Sequence, residues 1–85
     1  MPEISRFYGI VIMMFYNDHN PPHFHANYGE YRVVIDISEE VVKGFMPKRA
    51  LELVFEWMEL HKEELMDNWE RCQKGEEPQK IEPLN

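Results

Sequence analysis

The chain has 85 residues, 44 % of them apolar and eleven of them aromatic, which suffices for one domain with a real core and argues against disorder. Its net charge of −7 is spread over both halves, with three basic and six acidic side chains in residues 1–45 and six and ten in residues 46–85. Such a surface disfavours nucleic acid, whose binding draws on Lys and Arg to neutralise phosphate, and suits a basic protein partner better. No run approaches the ~20 apolar residues of a membrane span, Met1-Pro2-Glu3 has no signal-like character, and the single Cys72 permits no internal disulfide. Together these point to a cytoplasmic protein.

In chain order, the first element expected is the apolar run Gly9 to Tyr16, with β-branched Ile10, Val11 and Ile12. It reads as a strand covered on both faces, with a short buried helix as the alternative. Asn17 to Pro22 is punctuated as a loop. Two short runs follow, His23 to Tyr28 and Tyr31 to Ile37, joined by Gly29-Glu30. Gly-X suits a two-residue hairpin turn in which Gly supplies the positive φ. That turn makes Tyr28 face Tyr31, Ala26 face Val33, Phe24 face Ile35 and His23 face Asp36. A one-residue slip would turn one strand's apolar set away from the core. His23 and His25 are then expected to point away from the helical layer, with Asp36 pairing with or orienting His23. Ser38-Glu39-Glu40 turns the chain, and Val41 to Phe45 suggests a further short strand.

Pro47 can open a helix, because a first-turn N–H has no intrahelical partner. Helical periodicity runs to about Lys74, and Gly75 is placed to cap it. Glu52, Glu56, Glu59, Glu63, Asp67 and Glu70 form an acidic stripe about 80° wide at ~100° per residue. Leu53, Trp57 and Leu60 lie roughly opposite the Leu51/Phe55 stripe, so one sheet face cannot cover the first half. A symmetric dimer, the C-terminal tail, or a second helix formed by a break near His61 would supply the missing cover. His61 itself reads as a core or boundary residue. The resulting expectation is an α+β domain: an antiparallel meander of three to four strands with a long C-terminal helix packed on one face. Residues 1–46 are strand-rich, 47–74 helical, and 75–85 an irregular tail on which Ile81 and Leu84 can dock.

The stretch Asn17-Asp18-His19-Asn20-Pro21-Pro22-His23-Phe24-His25-Ala26 holds three of the four histidines within seven positions. Together with Pro47-Lys48-Arg49-Ala50-Leu51-Glu52-Leu53-Val54-Phe55-Glu56-Trp57 and the closing Asn68 to Leu84, it resembles a family of small bacterial proteins catalogued as domain of unknown function 4160. The likeness runs from Met1-Pro2-Glu3-Ile4 to Leu84. It implies a bacterial, cytoplasmic, single-domain protein, and some similar proteins are suspected members of toxin–antitoxin-type operons. It implies no catalytic residues.

The cluster supports three readings. Asp18 and Asn20 are turn residues, and the histidines can satisfy loop carbonyls, so a stiff polar loop is the plainest. The candidate binding residues are Asp18, His19, Asn20, His23, His25 and Asp36, and a patch for a protein or ligand is the second reading. The third is a divalent transition metal such as zinc on His19, His23 and His25, since three imidazoles leave a position open for water. Asp18 or Asp36 would then orient a ligand or act as base. There is no Gly-rich phosphate loop and no nucleophile elbow. A protein-binding or regulatory domain is the leading expectation, and a metal-dependent enzyme, such as a hydrolase, the runner-up.

Overall fold

The computed structural model describes residues 2–85. Five strands are followed by two helices: β1 (Glu3–Phe7), β2 (Ile10–Met13), β3 (His23–Tyr28), β4 (Tyr31–Asp36), β5 (Val42–Phe45), α1 (Lys48–Leu60) and α2 (Lys62–Gln73). The strands form one antiparallel sheet in chain order. The α+β expectation holds, with one strand more than the three or four expected. The extra strand is β1. It joins β2 through Tyr8 and Gly9, whose φ values of 50° and 81° are both positive. Two consecutive positive φ values match the right-handed twist of a tight hairpin. Tyr8 rarely adopts that conformation, so the turn carries no ordinary signature.

The β3–β4 hairpin has the expected register throughout: His23↔Asp36, Phe24↔Ile35, Ala26↔Val33 and Tyr28↔Tyr31. Gly29 supplies the positive φ, at 59°. Because side chains alternate along a strand, Phe24, Ala26, Val33 and Ile35 share one face, and all four are buried. Ile10 and Ile12 of β2 join them in one core with Val54, Trp57 and Met58 of α1 and Leu65, Trp69 and Cys72 of α2.

Pro47 precedes α1 as its N-cap, with extended ψ of 145°, rather than lying in its first turn. The helical region is not continuous. His61, with φ −129° and ψ 26°, ends α1 and starts α2. Its ring lies 5.5 Å from that of Trp57, and Nδ1 is hydrogen-bonded to Glu64. The acidic stripe therefore runs over two helices. The stripe of α1 that faces the core is Ala50, Val54, Trp57 and Met58, while Leu51, Leu53 and Phe55 are half-buried and Leu60 is exposed. Two of the three suggested covers are present at once: the break at His61 and the tail. Trp57 is fully buried, and its Nε1–H donates to Glu82 O at 2.9 Å.

Gly75, at φ 77°, closes α2. Its N–H donates to Cys72 O at 3.1 Å, and the Glu76 N–H donates to Arg71 O at 2.8 Å, the paired bonds of a Schellman cap. Beyond it the tail is irregular in form but firmly held. Asn68 brackets Gln79, its Nδ2 donating to Gln79 O and its Oδ1 accepting from Gln79 N–H, both at 2.8 Å. The Ile81 N–H donates to Ile4 O of β1 at 2.8 Å. Ile81 is buried and Leu84 half-buried against the core, as expected of them. No described helix is long and apolar enough to cross a membrane.

Candidate metal centre

The loop between β2 and β3 is pinned at its start by the C-terminal end of α2. The Asn17 N–H donates to Cys72 O at 3.3 Å, and Gln73 Nε2 donates to Asp18 O at 2.8 Å. The first bond uses one of the free carbonyls that every helix leaves at its C-terminus; the second is made by a side chain of the last turn to a loop carbonyl. The Pro21-Pro22 segment cannot donate and serves as a pair of acceptors. Pro22 O accepts the Ile37 N–H at 3.0 Å, and Pro21 O lies 2.7 Å from His23 Nδ1.

The loop delivers the Asp18 carboxylate to the start of β3. Its Oδ2 lies 2.8 Å from His23 Nε2 and 3.5 Å from His25 Nε2. The His19 N–H donates to Oδ1 at 2.9 Å. One ligand atom each from Asp18, His23 and His25 lies within 4.8 Å of the others. His23 and His25 are two apart on a strand and so share a face. His23 is buried, its ring 5.1 Å from that of Trp69, while Phe15 meets the half-buried His25 edge-on at 4.4 Å.

Three expectations change here. His19 is not the third member of the group: its side chain is 85 % exposed at the rim, and Asp18 takes the inner position. Asp36 faces His23 across the hairpin in register, yet it does not orient the ring. Its Oδ1 turns back to accept the N–H groups of Ser38 and Glu39 at 2.9 and 2.8 Å, stabilising the turn after β4. Nor does His23 point clear of the helical layer, because α2 reaches the end of the sheet where β3 begins and lays Trp69 against it. Asn20 is exposed and contributes its main-chain oxygen, 3.3 Å from His19 Nδ1. Trp69 and Gln73 were not legible as site residues, since helical spacing marks them only as members of α2.

The electrostatics favour a charged carboxylate beside a neutral His25. Burial alone would raise the Asp18 carboxyl, but the His19 N–H and the His23 and His25 rings outweigh it and hold it below its ordinary range. Burial pushes the His25 imidazole below its ordinary value, outweighing the opposing hydrogen bond to Asp18, and the neighbouring His23 ring acts in the same direction as burial. Both ring nitrogens of His23 face oxygen acceptors. With Nδ1–H directed at Pro21 O, Nε2 can satisfy Asp18 only by carrying a second proton or by sharing a cation with it. The group opens onto a cavity of about 440 Å³ bounded further by Val34, Asp36, Val41 and Lys43.

The family model described as Domain of unknown function (DUF4160) matches residues 9–70. The chain belongs to that family. The match contains the whole Asp18–His23–His25 group together with Trp69, and leaves β1 and the tail outside it. No curated protein and no solved structure gives a significant match.

Proposed function

We propose that the protein is a metal-binding domain, in which Asp18, His23 and His25 hold a divalent first-row transition ion such as zinc through Oδ2 and the two Nε2 atoms. The observation that carries this reading is the grouping of these three atoms, all within 4.8 Å of one another, beside a cavity. Around an ion with bonds of ~2.1 Å, ligand atoms sit roughly 3.0–3.5 Å apart. The Asp18 separations of 2.8 and 3.5 Å are close to that. A ligating histidine commonly bonds a backbone carbonyl through its other nitrogen, which fixes the tautomer. Pro21 O does this for His23. Two histidines and one carboxylate leave coordination positions free, as catalytic zinc and non-haem iron sites do. The test is titration of chelator-treated protein with zinc and cobalt(II). One ion per chain is expected, with loss of binding in Asp18→Asn and His25→Ala and retention in His19→Ala. Equal binding by all four proteins would refute the reading.

A second reading, a protein-binding or regulatory domain, draws support from a different surface. Tyr31 and Phe45 are 42 % and 69 % exposed and pack against each other, ring centroids 5.6 Å apart, beside the free edge of β5. Such a pair suits a protein contact. The family resemblance adds a bacterial, cytoplasmic setting and an association with toxin–antitoxin-type operons. Pull-down with the product of an adjacent gene tests it, with Phe45→Ser expected to abolish the contact.

A further inference from the structure

The sheet face that carries His23 and His25 also carries Arg32 and Lys43, two of the five cations (with Lys48, Lys74 and Lys80) that form no ion pair among the described residues. Cross-strand register aligns His25 with Val34 and Val34 with Lys43. Lys43 thus stands two strands from the metal group, about 10 Å along the row at ~4.8 Å per strand. Lys43 bounds the cavity into which Asp18, His23 and His25 open. A second depression, sharing His25, Val34 and Lys43 with the first, is flanked by Arg32. Neither Lys43 nor Arg32 forms an ion pair among the described residues, whereas Arg6, Arg49, Lys62 and Arg71 all do. In a chain of net charge −7, two exposed and unpaired cations beside a metal group create a local anion-attracting field.

Between the two polar ends the cavity wall is apolar, formed by Val34 and Val41. Asp36 also faces the cavity, but its Oδ1 already accepts two main-chain N–H groups, which offset part of its charge. We infer that the site takes a small dicarboxylate: one carboxylate on the open positions of the metal, a short methylene spacer over Val34 and Val41, and the second carboxylate on Lys43. A cavity of about 440 Å³ falls in the range that small-molecule sites occupy. This rests on the metal reading above and adds the class of ligand that the metal would meet.

The experiment uses cobalt(II)-loaded protein, whose visible absorption reports coordination directly. Succinate and glutarate are titrated against acetate, which can fill the metal position but cannot reach Lys43. At least one dicarboxylate should perturb the spectrum with an affinity tenfold or more above acetate. Lys43→Met should bring that affinity down to the acetate level, and Lys43→Arg should restore much of it. The cobalt titration of each protein is recorded in parallel. Absence of cobalt binding would overturn the metal reading itself. A normal cobalt spectrum with equal affinity for acetate and both dicarboxylates, or no loss in Lys43→Met, would overturn the dicarboxylate inference alone.

Discussion

Gln73 and Asp18, 55 residues apart, are joined by a 2.8 Å hydrogen bond from the Gln73 side-chain amide to the Asp18 main-chain oxygen. The last turn of α2 thereby sets where the Asp18 carboxylate stands relative to His23 and His25. Gln73 is exposed, so truncating it removes the tether without opening the core. Groups that orient ligands typically contribute 10- to 100-fold to metal affinity. On the proposed metal reading, Gln73→Ala is expected to weaken zinc binding about tenfold with little change in the urea midpoint of the metal-free protein. Unaltered zinc affinity would show that Asp18 is held in place without α2.

Asn68 is buried, and its amide satisfies both main-chain groups of Gln79. Removing the side chain opens a buried site and takes both partners from the exposed Gln79, each lost bond costing roughly 0.5–1.5 kcal/mol at a partly buried position. Asn68→Ala should lower stability by about 2–4 kcal/mol and loosen the tail. Urea unfolding followed by Trp fluorescence measures this, since Trp57 donates to Glu82 O in the same tail. A shift below 1 kcal/mol would mean that the tail is held without Asn68.

Ser5 Oγ is buried with no hydrogen-bond partner among the described residues. Replacing an unsatisfied hydroxyl by hydrogen removes a desolvation penalty and leaves almost the same shape. Ser5→Ala is expected to be neutral or stabilising by up to ~1 kcal/mol, equivalent to roughly 4–8 °C in Tm for a domain of this size. A clear fall in Tm would show that the hydroxyl has a partner.

Gly44 and Gly29 both have positive φ, yet they should respond differently. A Cβ on Gly44, at φ 104°, would lie 2.4 Å from Arg32 O of the neighbouring strand. A Cβ on Gly29, at φ 59°, would meet nothing within 4 Å. Gly44→Ala should cost upwards of ~2 kcal/mol through strain and backbone displacement. Gly29→Asn should cost less than ~1 kcal/mol, because Asn tolerates the left-handed region. Equal losses from thermal melts would contradict the close approach of β5 to Arg32.

Cys72 is fully buried, and burial pushes its thiol pKa up. Less thiolate is therefore present at any given pH than at an ordinary cysteine, and a reagent must also wait for the chain to open. Native protein at pH 8 should react with a thiol reagent more than 100-fold slower than protein in urea. Fast labelling of native protein would contradict the burial of Cys72.

Those parts of the molecule ruled by a short period were legible in advance. Alternation in Tyr31 to Asp36, broken only by Val34, and a glycine at position 29 sufficed for the β3–β4 register, down to the pairing of His23 with Asp36. β1 was not legible, because its turn places Tyr8 in a conformation that tyrosine rarely adopts and Ser5 and Arg6 interrupt its apolar pattern. The break at His61 has no glycine or proline to announce it, although an excess of apolar surface on α1 pointed to one. At the site, both strand histidines were assigned to one face correctly. The choice among Asp18, His19 and Asp36 depended on loop dihedrals and on the approach of α2, which no periodicity encodes.

Every strand of the sheet pairs only with its neighbours in sequence, whereas the bond from Ile81 to Ile4 closes the chain end to end. The two kinds of contact carry unequal loop-closure entropy, so they set different timescales. The hairpins can assemble locally, and the docking of α2 and the tail is expected to follow. His23 and His25 belong to the early part, while the position of Asp18 depends on the late one. In refolding followed by stopped flow, the grouping of Asp18 with His23 and His25, and with it any metal binding on the proposed reading, should therefore appear with the slow burial of Trp57 and Trp69, as a marker of completed folding rather than a nucleus for it.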